Sequence, residues 1–167
     1  MLSYMQRPEM GQSAQLAYWQ LCSEGVTRMD ITLLLLADYA NISQEGKLNV
    51  MGIFDRISVQ SLPAQHPEMR LVMRLSASPA EKGQQKSVEV KLIDADGNAN
   101  LTAAASLVVP SEAPQLNIEI VNILTLVGVR FAKAGSYAFH VLINGDDKGR
   151  VPFTVVQRQR DSQTEEV

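Results

Sequence analysis

Short runs of alternating apolar and polar residues repeat from Leu33 to Val155, and each run ends in a turn rich in Gly, Asp, Asn or Pro. Such alternation is typical of β-strands that bury one face, and its regular spacing is typical of small all-β sandwiches. The runs lie at residues 30–38, 48–59, 69–76, 86–93, 99–109, 115–129, 136–143 and 149–156. In the clearest run, the residues expected to face the core are Met69, Leu71, Met73 and Leu75. The pattern therefore predicts an all-β fold, a single antiparallel β-sandwich of about eight strands with immunoglobulin-like or jelly-roll topology.

The chain divides into three parts. Residues 1–28 are rich in Gln, Ser and Met and show no strand alternation. Residues 29–157 contain all the strand patterns, so we expect them to form the β-sandwich domain. Residues 158–167 are polar, and a segment with so little apolar surface to bury is expected to be a disordered tail.

Two interpretations of the first part stay open. Ser13–Cys22 could form a short amphipathic helix that presents Leu16, Trp19 and Cys22 on one side. A helix this short is marginal alone and needs a surface to pack on. Met29 is followed at once by the first strand, so it is a plausible true start of the protein. We favour an upstream extension or a disordered arm over a structured helix.

The charge and composition of the chain indicate where the protein is located and which kinds of partner it binds. The net charge is −3 and the basic residues are scattered, whereas nucleic-acid and anionic-membrane binding need a basic surface. The single cysteine, Cys22, allows no intramolecular disulfide, which suits a reducing cytosol. The N-terminus lacks a signal-peptide pattern, and the longest strongly apolar stretch, at 31–37, is too short to span a bilayer. We therefore expect a cytoplasmic protein without a nucleic-acid or membrane partner.

Catalytic chemistry is poorly represented in the chain. The two histidines, His66 and His140, are far apart, whereas a metal-dependent cupin needs several inward histidines. The sequence carries no nucleophile elbow, P-loop or dinucleotide-binding motif, so we expect no cofactor. Asp55 and Arg56 are neighbours in a strand and point to opposite faces, so either one of them faces inward or a bulge near Gly52 resets the register. An enzyme with a site around Asp55, Arg56 and His66 is a third interpretation. With no positioned nucleophile and base, we expect a protein that is not an enzyme.

Two predicted hairpin tips are rich in residues with side-chain oxygens. One contains Asp94, Asp96 and Asn98, and the other contains Asp146 and Asp147. Calcium takes six to eight oxygen ligands, so these residues are candidate metal ligands. The same residue types are also what tight turns require for backbone reasons. A small-ligand or carbohydrate binder, with calcium at these tips, is therefore the alternative to an interaction module.

Two strands are apolar on both faces. Leu33–Leu36 and Val121–Val129 have no polar alternation, although one face of an antiparallel sheet normally meets water. The outer face must then be covered by residues 1–28, by a long loop or by another chain. The residues expected at such an interface are Ile123, Val127, Val129 and the outward-facing His140. The sequence thus predicts a non-catalytic module that self-associates or docks a protein partner.

A family resemblance rests on three segments, LLLLADYANISQEGKLNVMGIFDRI, SLPAQHPEMRLVMRL and GSYAFHVLINGDDKGRVPFTV. They resemble an uncharacterised family of small bacterial all-β proteins, a domain of unknown function that begins near Met29 and ends near Val156. The resemblance implies a fold and a bacterial source, and it transfers no activity. The third segment also resembles the last hairpin of immunoglobulin-like domains, in which Gly-x-Tyr-x-Phe leads into the penultimate strand.

Overall fold

A computed structural model describes residues 29–112 and 118–158. The interpretations of residues 1–28 and of the segment 159–167 lie outside these described residues. Within them the chain forms nine strands and one short 3-10 helix at Pro79–Glu81. The strands are β1 (Asp30–Ile42), β2 (Leu48–Ile53), β3 (Arg56–Val59), β4 (Ala64–Ala77), β5 (Gln85–Asp94), β6 (Ala99–Val108), β7 (Ile118–Phe131), β8 (Gly135–Ile143) and β9 (Asp146–Gln157). No helix in this part of the chain is long and apolar enough to cross a membrane.

The strands form two sheets, which confirms the all-β class. One sheet has the order β2-β1-β4-β7, and the other has the order β3-β9-β8-β5-β6. Neighbouring strands are antiparallel, except that β3 runs parallel to β9. The expectation of a purely antiparallel arrangement is therefore wrong at this one pair.

The run at 48–59 is two strands in different sheets. Phe54 donates its N–H to the Leu36 carbonyl in the first sheet, and the carbonyl of Asp55 accepts from Thr154 in the second. Because the chain changes sheets at this point, Asp55 and Arg56 are both exposed and the next residue of β3 takes the buried position. Of the two alternatives for this segment, the one in which a charged residue faces inward is therefore wrong.

The core lies between the sheets and is rich in aromatic rings. Phe131 of β7 sits 5.1 Å from Tyr137 of β8 and 5.8 Å from Phe153 of β9, both measured between ring centroids in edge-on geometry. Phe139 stacks on Phe153, with the ring centroids 5.5 Å apart. Phe131 therefore joins the first sheet to the second through contacts that stabilise beyond simple burial.

In the neighbouring strands β4 and β7, the side of the strand that faces the core changes at one shared point. In β7, Leu126 is buried and Val127 is exposed, but Val129 is buried again after Gly128. Gly128 has φ +68°, a left-handed conformation that costs other residues about 1–2 kcal/mol. On β4 the core-facing side changes at Pro67, which lies opposite Gly128. Val129 therefore faces the core, which corrects the expectation that it lies on the outer surface.

A buried ion pair secures the start of β1. Nζ of Lys86 lies 2.8 Å from Oε1 of Glu81, and both side chains are buried. The same carboxylate accepts the N–H groups of Met29 at 3.1 Å and of Ser78 at 3.0 Å. Lys86 also donates to the side-chain carbonyl of Gln84 at 3.0 Å. The pair thus holds the first residue of the folded core against the 3-10 helix.

Candidate functional site

One side of the β2-β1-β4-β7 sheet points away from the core. On this side, residues that lie opposite each other on neighbouring strands form rows across the sheet. Val72 of β4 pairs with Leu35 of β1 and with Ile123 of β7. Residues directly opposite each other share one face of a sheet. The adjacent row, which includes Leu36 and Leu71, packs into the core. The Val72 row is therefore the centre of the opposite, outward surface.

Large apolar side chains surround this row and reach water. The exposed fraction is 47% for Tyr39, 65% for Met51, 63% for Ile53 and 70% for Val127. Single exposed apolar residues are ordinary, but a contiguous group on one sheet face marks an interaction surface. We call this surface the outer apolar face, and its members are Leu33, Leu35, Tyr39, Met51, Ile53, Val72, Val121, Ile123 and Val127.

Two arginines lie within the outer apolar face and are incompletely paired. Nη2 of Arg70 lies 2.6 Å from the carboxylate of Glu68, but its Nη1 is buried without a hydrogen-bond partner. Nε of Arg74 is also buried without one, since the carboxylate of Glu119 is 3.8 Å away. A buried donor left unpaired costs about 1–3 kcal/mol, so an acceptor brought by a covering group would stabilise both.

The four residues expected at an interface do not form one surface. Ile123 and Val127 lie on the outer apolar face, whereas Val129 is in the core. His140 belongs to the other sheet, because β8 pairs only with β5 and β9 among the described strands. Its Nδ1 lies 2.8 Å from Oδ2 of Asp147. The pattern did not single out Met51, although Met51 and Ile53 fall on the same side of one alternating run.

The first hairpin tip uses its oxygens internally. Oδ1 of Asp94 accepts the N–H groups of Asp96 at 3.0 Å and of Asn98 at 2.9 Å. The hydrogen bond from the Asn98 backbone holds the pKa of Asp94 below its usual value. Asp96 forms an ion pair with Lys133, and this contact raises the pKa of the lysine. The carboxylates here stabilise the turn.

The second tip lies at the other end of the same sheet. In the β5–β8 ladder, Asp94 is opposite Tyr137, whereas the turn that leads to Asp146 and Asp147 follows Ile143 at the far end. The two tips therefore cannot contribute ligands to a single ion. Across residues 29–112 and 118–158, no group of three His, Cys, Asp or Glu residues is placed to hold a metal.

We expect calcium to leave the thermal stability of the protein unchanged. The oxygens of Asp94 are already engaged by backbone amides, and Asp96 is neutralised by Lys133. A calcium titration followed by calorimetry and by the melting temperature checks this, with magnesium as the control. A saturable calcium-dependent rise that disappears in Asp94→Asn would instead place a metal at this tip.

A polar cleft opens where the chain crosses from β2 to β3. It has a volume of about 370 Å³, and its lining includes Asp38, Arg56, Ser58 and His66. The structure thus brings Arg56 and His66 together, but Asp55 is not in the lining. The Nε2 atom of His66 is buried and has no hydrogen-bond partner among the described residues. The cleft therefore offers charged and polar groups that could bind a small ligand.

Two of the solved structures that resemble the chain come from Pseudomonas species. One is the Pseudomonas fluorescens alkylpurine DNA glycosylase AlkC bound to DNA containing an abasic site analog, with 15% identity, a TM-score of 0.45, and coverage of 87% of this chain but 35% of that one. The other is an immunoglobulin-like protein from Pseudomonas aeruginosa, with 10% identity, a TM-score of 0.42, and coverage of 79% of this chain and 100% of that one. Neither likeness bears on function at these values.

The family assignment comes from the sequence. No curated protein matches the chain. A family model described as "Family of unknown function (DUF6941)" matches residues 32–156, which include nearly all of the two sheets. The resemblance to an uncharacterised all-β family is thereby confirmed. The chain belongs to the DUF6941 family of unknown function.

Proposed function

We propose that this protein is a non-catalytic interaction module that docks a protein partner, or a second copy of itself, through the outer apolar face. The observation that carries the proposal is the exposure of Tyr39, Met51, Ile53 and Val127 on one sheet surface. Enclosing these side chains removes apolar area from water, which favours association by about 25 cal/mol per Å² before the costs of binding.

The charges on the outer apolar face favour a protein over a nucleic acid or a membrane. Arg70 and Arg74 each have a carboxylate beside them, so the face is not uniformly basic. The chain carries a net charge of −3, which opposes binding to phosphates. We place this module in the bacterial cytoplasm, and we propose the immunoglobulin-like sandwich over the jelly roll. The Gly135-x-Tyr137-x-Phe139 segment that forms β8 supports this choice.

Val127→Arg is expected to abolish assembly while it changes the free energy of unfolding by less than about 0.5 kcal/mol. The side chain is 70% exposed, so the fold does not depend on it, but a guanidinium would be desolvated inside an apolar interface. The measurement combines sedimentation of the purified full chain with an affinity pull-down from lysate of the source organism, read by mass spectrometry.

Val108→Arg is the matched control for this variant. Val108 is the same residue type with a similar exposure, 62%, but it lies on β6 of the other sheet. The proposal requires that Val127→Arg lose the self-association or the captured partner and that Val108→Arg retain it. A wild-type protein that is monomeric and captures nothing, or a Val127→Arg variant that unfolds, would contradict the proposal.

Small-ligand binding is the second candidate function, favoured by the polar cleft at the β2–β3 crossing. Asp38, Arg56 and His66 line the cleft, and the buried Nε2 of His66 lacks a partner. A protein that is monomeric and captures no partner would transfer support to this candidate, and small-molecule screening would follow.

A further inference from the structure

The polar cleft lies where two neighbouring strands of the first sheet diverge. β1 pairs with β4 as far as Ala37, and beyond this residue it pairs only with β2 among the described strands. β4 continues to Ala64, with β7 as its one described partner there. The chain crosses to the second sheet beside this gap, and the ring centroid of Phe54 lies 6.1 Å from that of His66. The strands themselves therefore shape the cleft, so the sheet topology fixes its position.

Charged side chains of both signs line the cleft. Arg56 lies at the start of β3, and Arg158 follows the end of β9, where its N–H donates to the Val59 carbonyl at 2.9 Å. Asp38 of β1 lines the cleft as well. Among the described residues, none of these three side chains has an ion-pair or hydrogen-bond partner. Their charges therefore face solvent or a molecule that enters the cleft.

A glycine sets the place of the acidic group. Asp38 and Gly52 face each other across the β1–β2 pair, and a Cβ on residue 52 would collide with the Asp38 carboxylate. Gly52 also has φ +68°, a left-handed conformation that disfavours other residues. The carboxylate therefore lies against the strand at the edge of the cleft, and the exposure of Asp38 leaves it within reach of a ligand.

The cleft also offers an apolar wall and one polar atom without a partner. Phe54 and Ile57 line it, so the carbon skeleton of a ligand has a surface to pack on. Nε2 of His66 is buried without a hydrogen-bond partner among the described residues, and a polar group brought by a ligand would stabilise it. The volume of about 370 Å³ lies in the usual range for small-molecule sites.

We propose that the cleft binds a small metabolite with two acidic groups and one ammonium, the acidic groups toward Arg56 and Arg158 and the ammonium toward Asp38. Guanidinium groups bind acidic groups through charge-assisted hydrogen bonds, and a carboxylate binds an ammonium in the same way. A ligand with acidic groups alone is repelled by Asp38, and a ligand with one acidic group leaves an arginine unpaired. The inference rests on the second candidate function, small-ligand binding, and names its chemical class.

Three compounds of similar size separate these contributions. L-Glutamate has two carboxylates and an ammonium, glutarate lacks the ammonium, and L-glutamine lacks the second carboxylate. We expect glutamate to bind about tenfold more tightly than either of the others, the factor that one charge-assisted hydrogen bond supplies. Isothermal titration calorimetry of the full-length protein, at millimolar ligand and constant ionic strength, measures the three affinities.

Single substitutions assign each charged group. Asp38→Asn should abolish the preference for glutamate over glutarate without weakening glutarate binding. Arg56→Gln and Arg158→Gln should each weaken glutamate binding about tenfold. Arg150→Gln is the matched control, because Arg150 is an exposed arginine of β9 outside the cleft lining, and it should bind glutamate like the wild type. Circular dichroism verifies that each variant is folded, and the three-compound comparison on the wild type decides the result if a variant is not.

Three results would overturn the proposal: no heat on adding glutamate, equal affinities for glutamate and glutarate, or glutamate binding unchanged in both arginine variants of the cleft. Saturable binding of another class of compound would remove this ligand class and leave the small-ligand candidate in place. Val127→Arg should bind glutamate like the wild type, because Val127 is not in the cleft lining. Assembly without glutamate binding therefore removes only this inference, and glutamate binding without assembly removes only the docking proposal.

Discussion

Replacing Glu81 by Gln is expected to destabilise the protein by about 3–5 kcal/mol, because it leaves a buried ammonium without its counter-charge. Lys86 lies 2.8 Å from the Glu81 carboxylate, and both are buried. The substitution also weakens the acceptor for the Met29 amide at the start of β1. Urea unfolding of the full chain measures the change in the free energy of unfolding.

Glu89→Gln is the matched control, since it breaks an ion pair on the surface. Nζ of Lys91 lies 3.3 Å from Glu89, and both side chains are one-third exposed. Exposed pairs contribute about 0–1 kcal/mol, so this variant should stay close to wild type. A double variant, Glu81→Gln with Lys86→Met, should recover part of the loss because no charge remains buried. Equal effects of Glu81→Gln and Glu89→Gln would show that the buried pair contributes nothing special.

The Glu81 pair also gives the stability a defined pH dependence. Burial alone raises the pKa of Glu81, but the hydrogen bond from Lys86 and those from Ser78 and Met29 outweigh it, so the pKa falls below the ordinary value of 4.5. A group with a lowered pKa in the folded state contributes fully above its unfolded pKa and loses that contribution as the pH falls through the folded pKa. We therefore expect stability to decline below pH 4.5, and to decline less in Glu81→Gln.

Phe131→Ala is expected to cost about 3–5 kcal/mol, the usual range for removing a fully buried aromatic ring. The ring contacts Tyr137 and Phe153 across the space between the sheets, so its loss leaves a cavity where the sheets meet. Phe131→Leu keeps much of the volume and should cost clearly less. A small effect of Phe131→Ala in urea unfolding would mean that the sheets close over the gap.

Strand faces could be predicted from the sequence wherever alternation is regular. Met69, Leu71, Met73 and Leu75 were expected to face the core, and all four are buried. The division of 48–59 between two sheets could not be predicted, because a strand that changes sheets keeps its local alternation. What changes is the strand with which it pairs, and β3 pairs with β9, which lies far along the chain.

The candidate surface was partly predictable for the same reason. Ile123 and Val127 stood out because their strand is apolar on both sides, and both lie on the outer apolar face. Val129 could not be separated from them, since Gly128 reverses the sides of the strand without changing its composition. His140 lies on a different sheet, and membership of a sheet depends on pairing between distant residues.

The pairing of β4 with β7 has a consequence for how the protein is made. It joins residues as distant as Ala64 and Phe131, and roughly 50 residues must be synthesised after β4 before β7 is complete, which takes about 3–10 s on a ribosome. During that interval β4 is an edge with unpaired backbone groups, able to template pairing with another chain. The yield of native protein should therefore depend on how crowded neighbouring nascent chains are, and slower, sparser expression should favour the correct β7 over a strand from a neighbour.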